Sequence, residues 1–390
     1  MKLCLATNLY PPVQTGSSYY AYDLARSLRQ RGHDVFVITC APGRFYTEEI
    51  DDEGVVVFRL PSLPVPRLRS FLGFDEFRVA LYPGNLTRMT RILREREVDL
   101  VHQSGHLLDL TYSSLIAARR ADVPVACSVH TIINQPAHPR LEQMAALVDR
   151  NVVGRVAMNR FDCIFALDAE IERYVNTRYR PRDVRRVPWG ISFDFDRYER
   201  RPRASGPLRI VSLGHVTEMR SRATLIEAVA MLRDEGTAFE LRIVGKLCTS
   251  GPQQHVAQLG LGDHVTFTGE LRRDRVLEEL GTADIEAHFI TNPGVGSASM
   301  EAMAVGLATM LWASPDTLGF AELRHLDNAI LVDPSDPTAI AALLRKLDED
   351  RDLLNRIGRN GRRTAMESFT WSAVAASMEQ IYESVTTRAR

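Results

Sequence analysis

Short apolar runs alternate with helical patterns along the first half of the chain. An apolar run at residues 2–7 precedes a proline-containing loop at residues 11–16, and a stretch with apolar positions at helical spacing follows. Those positions are Tyr20, Leu24, Ala25 and Leu28. Gly32 ends the predicted helix, and a second apolar run follows at residues 35–38. This strand–loop–helix–strand order predicts a right-handed parallel crossover unit.

The same alternation continues, stops at a charged stretch and then restarts. Residues 194–207 carry charges and prolines without periodicity, which indicates a linker. The stretch at about residues 340–385 is helical throughout. The pattern predicts an α/β protein with two Rossmann-like domains, each built on a parallel sheet. Strands are predicted before the linker at residues 98–102, 124–128, 163–167 and 185–188, and after it at residues 209–213, 239–244, 265–268 and 284–290.

Ligands of open parallel sheets bind beyond the carboxyl ends of the strands. Two Rossmann-like domains that face each other would therefore form one central cleft. The loops predicted to line it are residues 8–17, 214–221, 245–252 and 292–297.

Composition narrows the class of protein. A chain of 390 residues is longer than a single hydrophobic core usually supports, which favours two domains. Its formal net charge of −1 does not indicate nucleic-acid binding.

The five cysteines lie far apart without a Cys-x-x-Cys pair, which favours buried thiols in a reducing compartment. The N-terminal apolar run is too short for a signal peptide, and no segment approaches the ~20 apolar residues of a membrane span. We expect a cytoplasmic protein, with peripheral contact at the inner face of the membrane left open.

The stretch at residues 292–306 carries the strongest chemical signal. Gly294 and Gly296 allow the main chain to approach a ligand closely, and the amides at the start of the following helix attract an anion such as phosphate. Glu301 lies in the first turn and is a candidate acceptor for sugar hydroxyl groups, because one helix face is apolar. That face consists of Met300, Met303, Ala304 and Leu307. The alternative is a strand-to-helix turn with a solvated glutamate.

Several segments, taken in order and spacing, resemble glycosyltransferase family 4. Residues 10–17, Tyr-Pro-Pro-Val-Gln-Thr-Gly-Ser, with the later Arg-Gly-His-Asp-Val at residues 31–35, resemble the N-terminal signature of that family. Pro-Trp-Gly-Ile-Ser at residues 188–192 resembles its turn before the linker. Similar family segments match Thr-Gly-Glu-Leu at residues 268–271, Leu-Val-Asp-Pro at residues 331–334 and Phe-Thr-Trp at residues 369–371. The likeness covers nearly the whole chain.

The resemblance implies a GT-B fold: an acceptor-binding domain at residues 1–200, a donor-nucleotide domain at residues 201–368, and a C-terminal helix at residues 369–390 packing back on the first domain. It implies transfer of a sugar from a nucleotide-diphosphate sugar, by family habit a UDP-sugar, with retention of configuration and without a cofactor. The implied catalytic residues are His130, Arg220 and Glu301. The implied donor-binding residues are Gly16, Gly214, His215, Arg220, Gly269, Leu271, Gly294, Val295, Gly296, Ser297, Ala298 and Glu301.

The chain departs from the family pattern at three positions. Pro293 stands where the family has a glutamate that contacts the donor sugar. His215 replaces an arginine and Arg220 a lysine, both directed at the diphosphate. Arg220 can still clamp phosphate with bidentate hydrogen bonds, whereas His215 either donates to a ligand or caps the turn. Glu286 and His288 are candidates for the missing contact, and the alternative for both is a hydrogen-bonded strand end.

A metal is not expected, because no His or Cys cluster suggests zinc and the Asp194-Phe195-Asp196 triplet lies in the predicted linker. Helix N-termini after Gly16 and Gly296, with Arg220, would neutralise the departing diphosphate. Acceptor contacts, for a sugar, a glycolipid or a secondary metabolite, are suggested in the loops of the first domain. The candidates are Tyr10, Tyr19, His106 and Asn134.

Two further questions stay open at the level of sequence. The apolar and basic stretch at residues 60–81 suits a membrane surface or a lipid-linked acceptor, but also an ordinary surface loop. The same scaffold also suits a sugar-nucleotide epimerase, a phosphorylase or a non-catalytic sugar-nucleotide-binding protein. A dinucleotide-dependent oxidoreductase is disfavoured, because no Gly-x-Gly-x-x-Gly follows the first strand.

Overall fold

The computed structural model describes residues 1–13, 15–65, 77–132, 143, 146–217, 222–289, 294–318 and 321–389. The chain forms two compact units. The first unit joins Met1–Gly190 with Trp371–Arg390, and the second is Ile191–Thr370. The first unit is therefore discontinuous in sequence.

The first unit is built on an eight-stranded sheet in the order β10-β9-β8-β7-β1-β2-β4-β3. Its strands are β1 (Lys2–Thr7), β2 (Asp34–Cys40), β3 (Thr47–Ile50), β4 (Val56–Leu60), β7 (Leu100–Ser104), β8 (Val125–Val129), β9 (Cys163–Ala166) and β10 (Val184–Arg186). All neighbouring pairs are parallel except β3 with β4. A separate antiparallel pair joins β5 (Leu63–Val65) to β6 (Phe77–Val79). Helices of this unit are α1 (Gly16–Gln30), α2 (Asn85–Glu95), α3 (Asp109–Arg120) and α4 (Ala169–Arg178), with a π-helical turn at Asp149–Gly154 and a 3₁₀ turn at Met158–Arg160.

The second unit is built on a six-stranded sheet in the order β13-β12-β11-β14-β15-β16, with every pair parallel. Its strands are β11 (Leu208–Leu213), β12 (Phe239–Val244), β13 (Val265–Gly269), β14 (Ile285–Ala287), β15 (Ala308–Leu311) and β16 (Ile330–Leu331). Its helices are α5 (Ala223–Asp234), α6 (Gly251–Gln258), α7 (Arg273–Thr282), α8 (Ser297–Val305), α9 (Pro337–Glu349) and α10 (Arg351–Ser368).

The last helix, α11 (Trp371–Ala389), completes the first unit by packing against α1. Thr15 caps α1 by accepting a hydrogen bond from the Ser18 amide, and the apolar face of α1 enters the core. The side chains of α11 that are buried in the same core are Trp371, Val374, Ala375, Met378, Tyr382 and Val385. Apart from the adjacent pair Val374 and Ala375, these residues are spaced by three or four positions, which is typical of one helix face.

The fold class predicted from the sequence is confirmed, as are the two parallel arrays. The strands β3, β4, β5, β6, β15 and β16 were not predicted. Leu307 does not extend the apolar face of α8 as expected, because that helix ends at Val305 and Gly306 turns the chain with a φ of 99°. Four cysteines are buried, but Cys248 is exposed, which the sequence did not indicate.

Candidate functional site

Three turns stack at the carboxyl edge of the second sheet. The Gly214 amide donates to the Val244 carbonyl at 2.9 Å, and the Gly245 amide donates to the Gly269 carbonyl at 2.9 Å. A Cβ on Gly245 would lie 2.3 Å from the Gly214 carbonyl oxygen, and its φ is 147°. Glycine is therefore required at 245, and the structure brings the predicted residues Gly214 and Gly269 to one edge.

His215 lies in this stack, where the backbone amide of Lys246 donates to its Nδ1 at 3.3 Å. The turn-capping alternative thus has a contact in the structure. Arg220, the predicted phosphate clamp, lies outside the described residues.

Arg222 is a residue of this edge that the sequence did not single out. Its side chain is buried, and its guanidinium donates to the carbonyl oxygens of Leu213 and Gly214, both at 2.9 Å. It also donates to the His215 carbonyl at 3.3 Å and to the Ser212 hydroxyl at 3.1 Å. Arg222 therefore fixes the turn after β11. No spacing rule distinguishes it from the neighbouring Arg220, because its role depends on burial.

The start of α8 retains the features of an anion site. Gly296 is the N-cap in an extended conformation, and no side chain caps the helix. The first-turn amides of Ser297 and Ala298 therefore meet no capping side chain. A Cβ on Gly296 would meet nothing within 4 Å. The loop before it is held by the Gly294 amide, which donates to the Trp312 carbonyl at 2.8 Å, and Val295 is half-buried between these glycines.

Glu301 lies one turn into α8 and not in its first turn, where the sequence placed it. Its side chain is 12% exposed. Arg273 at the start of α7 donates to its Oε1 at 2.9 Å. Burial raises the pKa of Glu301, and Arg273 lowers it in part. Arg273 is 57% exposed, so solvent screens this ion pair from the arginine side. Leu271 packs on the same apolar cluster as Ala298.

Glu286 lies on β14 and is fully buried. Neither carboxylate oxygen reaches hydrogen-bond geometry with any described residue. Burial raises the pKa of Glu286 to about 8, although the Ser299 hydroxyl and the Arg222 guanidinium favour the charged form. The hydrogen-bonded strand end suggested by the sequence is thus not what the described residues show. His288, two residues further, is also buried.

The first unit carries a separate recess at the carboxyl edge of its sheet. His106 follows β7 and His130 follows β8, and both line the recess together with Asn8, Ser17 and Ser104. Burial lowers the pKa of His106 to about 4 and that of His130 to about 3, the second helped by its neighbour His106. Both imidazoles are therefore neutral at pH 7 and can exchange hydrogen bonds with hydroxyl groups without carrying charge.

His130 packs against two aromatic rings, and one of them, Tyr20, belongs to a buried polar chain. The rings of Tyr20 and Trp189 lie 4.4 and 5.8 Å from its centroid. The Tyr20 hydroxyl lies 3.3 Å from the Ser128 hydroxyl, which lies 2.7 Å from Nε2 of His102. The Tyr382 hydroxyl on α11 lies 2.6 Å from Nδ1 of the same histidine. The C-terminal helix thereby supports the strand end that carries His130.

The remaining predicted residues of the first unit are placed as follows. Gly16 is the first residue of α1, and a Cβ there would meet the Trp189 ring at 3.5 Å, an ordinary contact. Tyr10 is buried and donates its hydroxyl to Asp51 at 2.6 Å, which is a packing role. Tyr19 is 50% exposed on α1. Asn134 lies outside the described residues, as does half of the predicted membrane stretch, residues 66–76.

A larger cavity of the second unit, about 440 Å³, lies away from these turns. It is lined by Arg209 at the start of β11 and by Thr282 at the end of α7, so it opens at the amino edge of the sheet. The described residues contain no group of three His, Cys, Asp or Glu side chains placed to hold a metal ion. Nor does any described helix have the length and apolarity to cross a bilayer.

Two family models match adjoining parts of the chain. Residues 15–195 match the model described as Glycosyltransferase Family 4, and residues 194–364 match the model described as Glycosyl transferases group 1. Together they span both units.

Curated relatives and solved structures agree with this match. The chain is 28% identical to the MMP alpha-(1->4)-mannosyltransferase of Mycolicibacterium hassiacum, over 96% of this chain and 95% of that protein. It is 25% identical to the 2-deoxystreptamine glucosyltransferase of Streptomyces kanamyceticus, over 84% and 88% of the two chains. The crystal structure of Anabaena HepE in complex with UDP has a TM-score of 0.70 at 19% identity, covering 98% of this chain and all 100% of that chain.

Proposed function

Since this chain belongs to glycosyltransferase family 4 and is a glycosyltransferase of the GT-B fold, we propose that it uses a nucleoside-diphosphate sugar as donor. The sugar is transferred to an acceptor hydroxyl with retention of configuration.

The start of α8 supports this proposal most directly. Its first-turn amides have no side-chain cap, and Glu301 lies one turn further along. Backbone amides at a helix N-terminus suit the diphosphate, and a carboxylate suits the two ribose hydroxyls. The Arg273 side chain that now binds Glu301 would be displaced or shared when the ribose binds.

Breaking the glycosyl–phosphate bond leaves negative charge on the nucleoside diphosphate. We assign its stabilisation to the α8 amides and to Arg220, in a metal-independent reaction. One preorganised donor of this kind contributes about 2.7–4 kcal/mol to the transition state. Activity that survives EDTA dialysis would support metal independence, and activity restored only by added Mg²⁺ would contradict it.

His130 is assigned to the donor sugar as a neutral hydrogen-bonding group. A neutral imidazole does not repel the positive charge that develops on the sugar ring. The departing phosphate oxygen takes the proton of the acceptor hydroxyl, so no protein nucleophile is needed on that face. The anomeric configuration of the product, measured by NMR, tests retention.

The base and acceptor are proposed from the relatives. HepE binds UDP, whereas a relative from Mycobacterium tuberculosis, 24% identical over 97% of this chain, is described as GDP-mannose-dependent. We propose a UDP-sugar as donor and a hydroxyl of a sugar, glycolipid or secondary metabolite as acceptor. A panel that includes GDP-sugars decides the base.

A thermal-shift screen of nucleotide sugars tests the donor site. A ligand that binds only the native state stabilises it by about 2.7 kcal/mol at a hundred times its Kd. We expect a rise in Tm with the correct donor and its loss in Glu301→Ala. Glu278→Ala is the matched control, because that glutamate lies on α7 and pairs only with Arg275 among the described residues.

Two outcomes would count against the assignment. An undiminished shift in Glu301→Ala would remove the ribose role of that residue. A shift with no transfer to any acceptor, or conversion of the donor to its epimer, would instead favour a non-catalytic binding protein or an epimerase.

A further inference from the structure

Glu286 occupies an unusual position for a charged side chain. It lies on the central strand β14, in register with Val211 of β11 and Thr309 of β15, and it is fully buried. Neither of its carboxylate oxygens has a hydrogen-bond partner among the described residues. A buried carboxylate without partners is normally costly, which makes its retention at this place informative.

The surroundings of Glu286 connect it to the donor side of the unit. Ser299, the third residue of α8, and Arg222, next to the start of α5, both favour its charged form. The Arg222 guanidinium is already bound to the carbonyls of the turn after β11. His288 follows β14 and is buried. Among the elements that contact β14, the titratable side chains are Glu301 on α8 and Arg209 on β11, which pairs with Glu240, and β15 carries none.

Burial dominates over these favourable neighbours. It raises the pKa of Glu286 to about 8, so the side chain is a neutral acid at pH 7 and ionises at mildly alkaline pH. A neutral acid leaves the positive potential of the α8 N-terminus available to a ligand.

We propose that Glu286 is a positioning residue that preserves the anion site at the start of α8 while it is neutral and weakens donor binding when it ionises. This inference rests on the proposed function, because it concerns the diphosphate of the donor.

The physical basis is competition between two negative charges for one positive region. An ionised Glu286 would place a negative charge beside Ser299 of α8 and attract Arg222 away from the carbonyls that it holds. At an effective dielectric constant near 20, repulsion between two like charges about 8 Å apart weakens binding by about ten- to thirtyfold. Solvent screening makes this effect smaller. Linkage requires the reverse effect as well, so a bound diphosphate must hinder ionisation of Glu286.

Calorimetric titration with UDP and with GDP between pH 7.5 and 9.5 tests the proposal. In this range the terminal phosphate, with a pKa of about 6, keeps its charge. We expect the Kd of the wild-type protein to rise roughly three- to tenfold across the range, and that of Glu286→Gln to stay nearly constant. Glu240→Gln is the control with the same change of formal charge, on an exposed strand position that pairs with Arg209. It should follow the wild type.

A second variant keeps the test independent of whether Glu286→Gln folds. Ser299→Ala removes the hydroxyl that favours the charged form, so the loss of affinity should move to higher pH. An equal rise of Kd in wild type and Glu286→Gln, or no shift in Ser299→Ala, would overturn the inference alone. A folded wild-type protein that binds neither nucleotide at pH 7.5 would overturn the proposed donor site and this inference with it.

Discussion

His106 illustrates how burial decides the charge of a side chain in this protein. Its ring is 1% exposed and touches the rings of Tyr174 and Tyr179, at centroid distances of 6.1 and 6.5 Å. Neither ring nitrogen has a hydrogen-bond partner among the described residues. Desolvation therefore lowers the pKa of His106 to about 4, below the 6.5 of a solvated histidine.

This shift predicts a loss of stability in acid. Between pH 6.5 and pH 4 the histidine is protonated in the unfolded chain but stays neutral in the folded protein. The free energy of unfolding is therefore unaffected by this group above pH 6.5 and decreases as the pH falls from 6.5 towards 4. Replacing the ring by His106→Phe removes the group that must charge. Between pH 7 and pH 5 the variant should lose about 2 kcal/mol less unfolding free energy than the wild type. Urea unfolding at the two pH values measures the difference, and equal losses would contradict the shift.

At the residue scale, the sequence identified groups whose role is tied to a motif. Glu301 and Gly296 follow from the loop-to-helix pattern, and His130 from the family resemblance. The roles of Arg222 and Glu286 depend instead on burial and on contacts between distant segments, such as that of Arg222 with the carbonyls of residues 213–215. One-dimensional spacing does not encode those contacts.

The start of α8 is the element on which donor recognition depends. Gly296 has a φ of −74°, which any residue adopts, and open space where a Cβ would stand. The protein itself therefore does not require glycine at this position. A requirement for glycine would then come from the ligand.

Gly296→Ala separates these two causes. We expect an unchanged Tm but a Kd for the donor nucleotide at least about tenfold higher, because one hydrogen bond to a charged group contributes about 1.5–3 kcal/mol. Gly262→Ala is the control, since a Cβ there also meets nothing within 4 Å. Calorimetry and thermal unfolding measure the two quantities. Unchanged binding by Gly296→Ala would place the phosphate elsewhere.

Elements with a strong local pattern were predictable, and elements without one were not. The apolar run at residues 209–213 predicted β11, and the spacing of Tyr20, Leu24 and Leu28 predicted α1. Strand β3 is exposed along its whole length, so it has no apolar signature. Strand β15 follows α8 after only Gly306 and Leu307. Because its residues are apolar like those of α8, the pattern does not separate the strand from the helix.

At the scale of the whole molecule, the fold class followed from the alternation of strands and helices. The association of the last helix with the first unit had only the resemblance behind it, because no local pattern states which core a helix enters. The structure supplies the physical reason in the fit of Trp371 against Gly190. A Cβ on Gly190 would lie 2.2 Å from Cδ2 of the Trp371 ring, so only glycine allows that packing.

Removal of α11 should therefore unfold the first unit and spare the second. A chain ending at Thr370 loses six side chains buried in the core of the first unit, including Trp371, Met378 and Tyr382. In this chain the amides of β1, β7 and α1 should lose protection from hydrogen exchange, and those of β11 and β12 should keep it. Retained protection of β1 in the shortened chain would mean that the eight-stranded sheet is stable without its last helix.

The point variant Gly190→Ala should lower the free energy of unfolding by about 1–3 kcal/mol through overpacking against Trp371. Gly43→Ala is its control, because a Cβ there meets nothing within 4 Å.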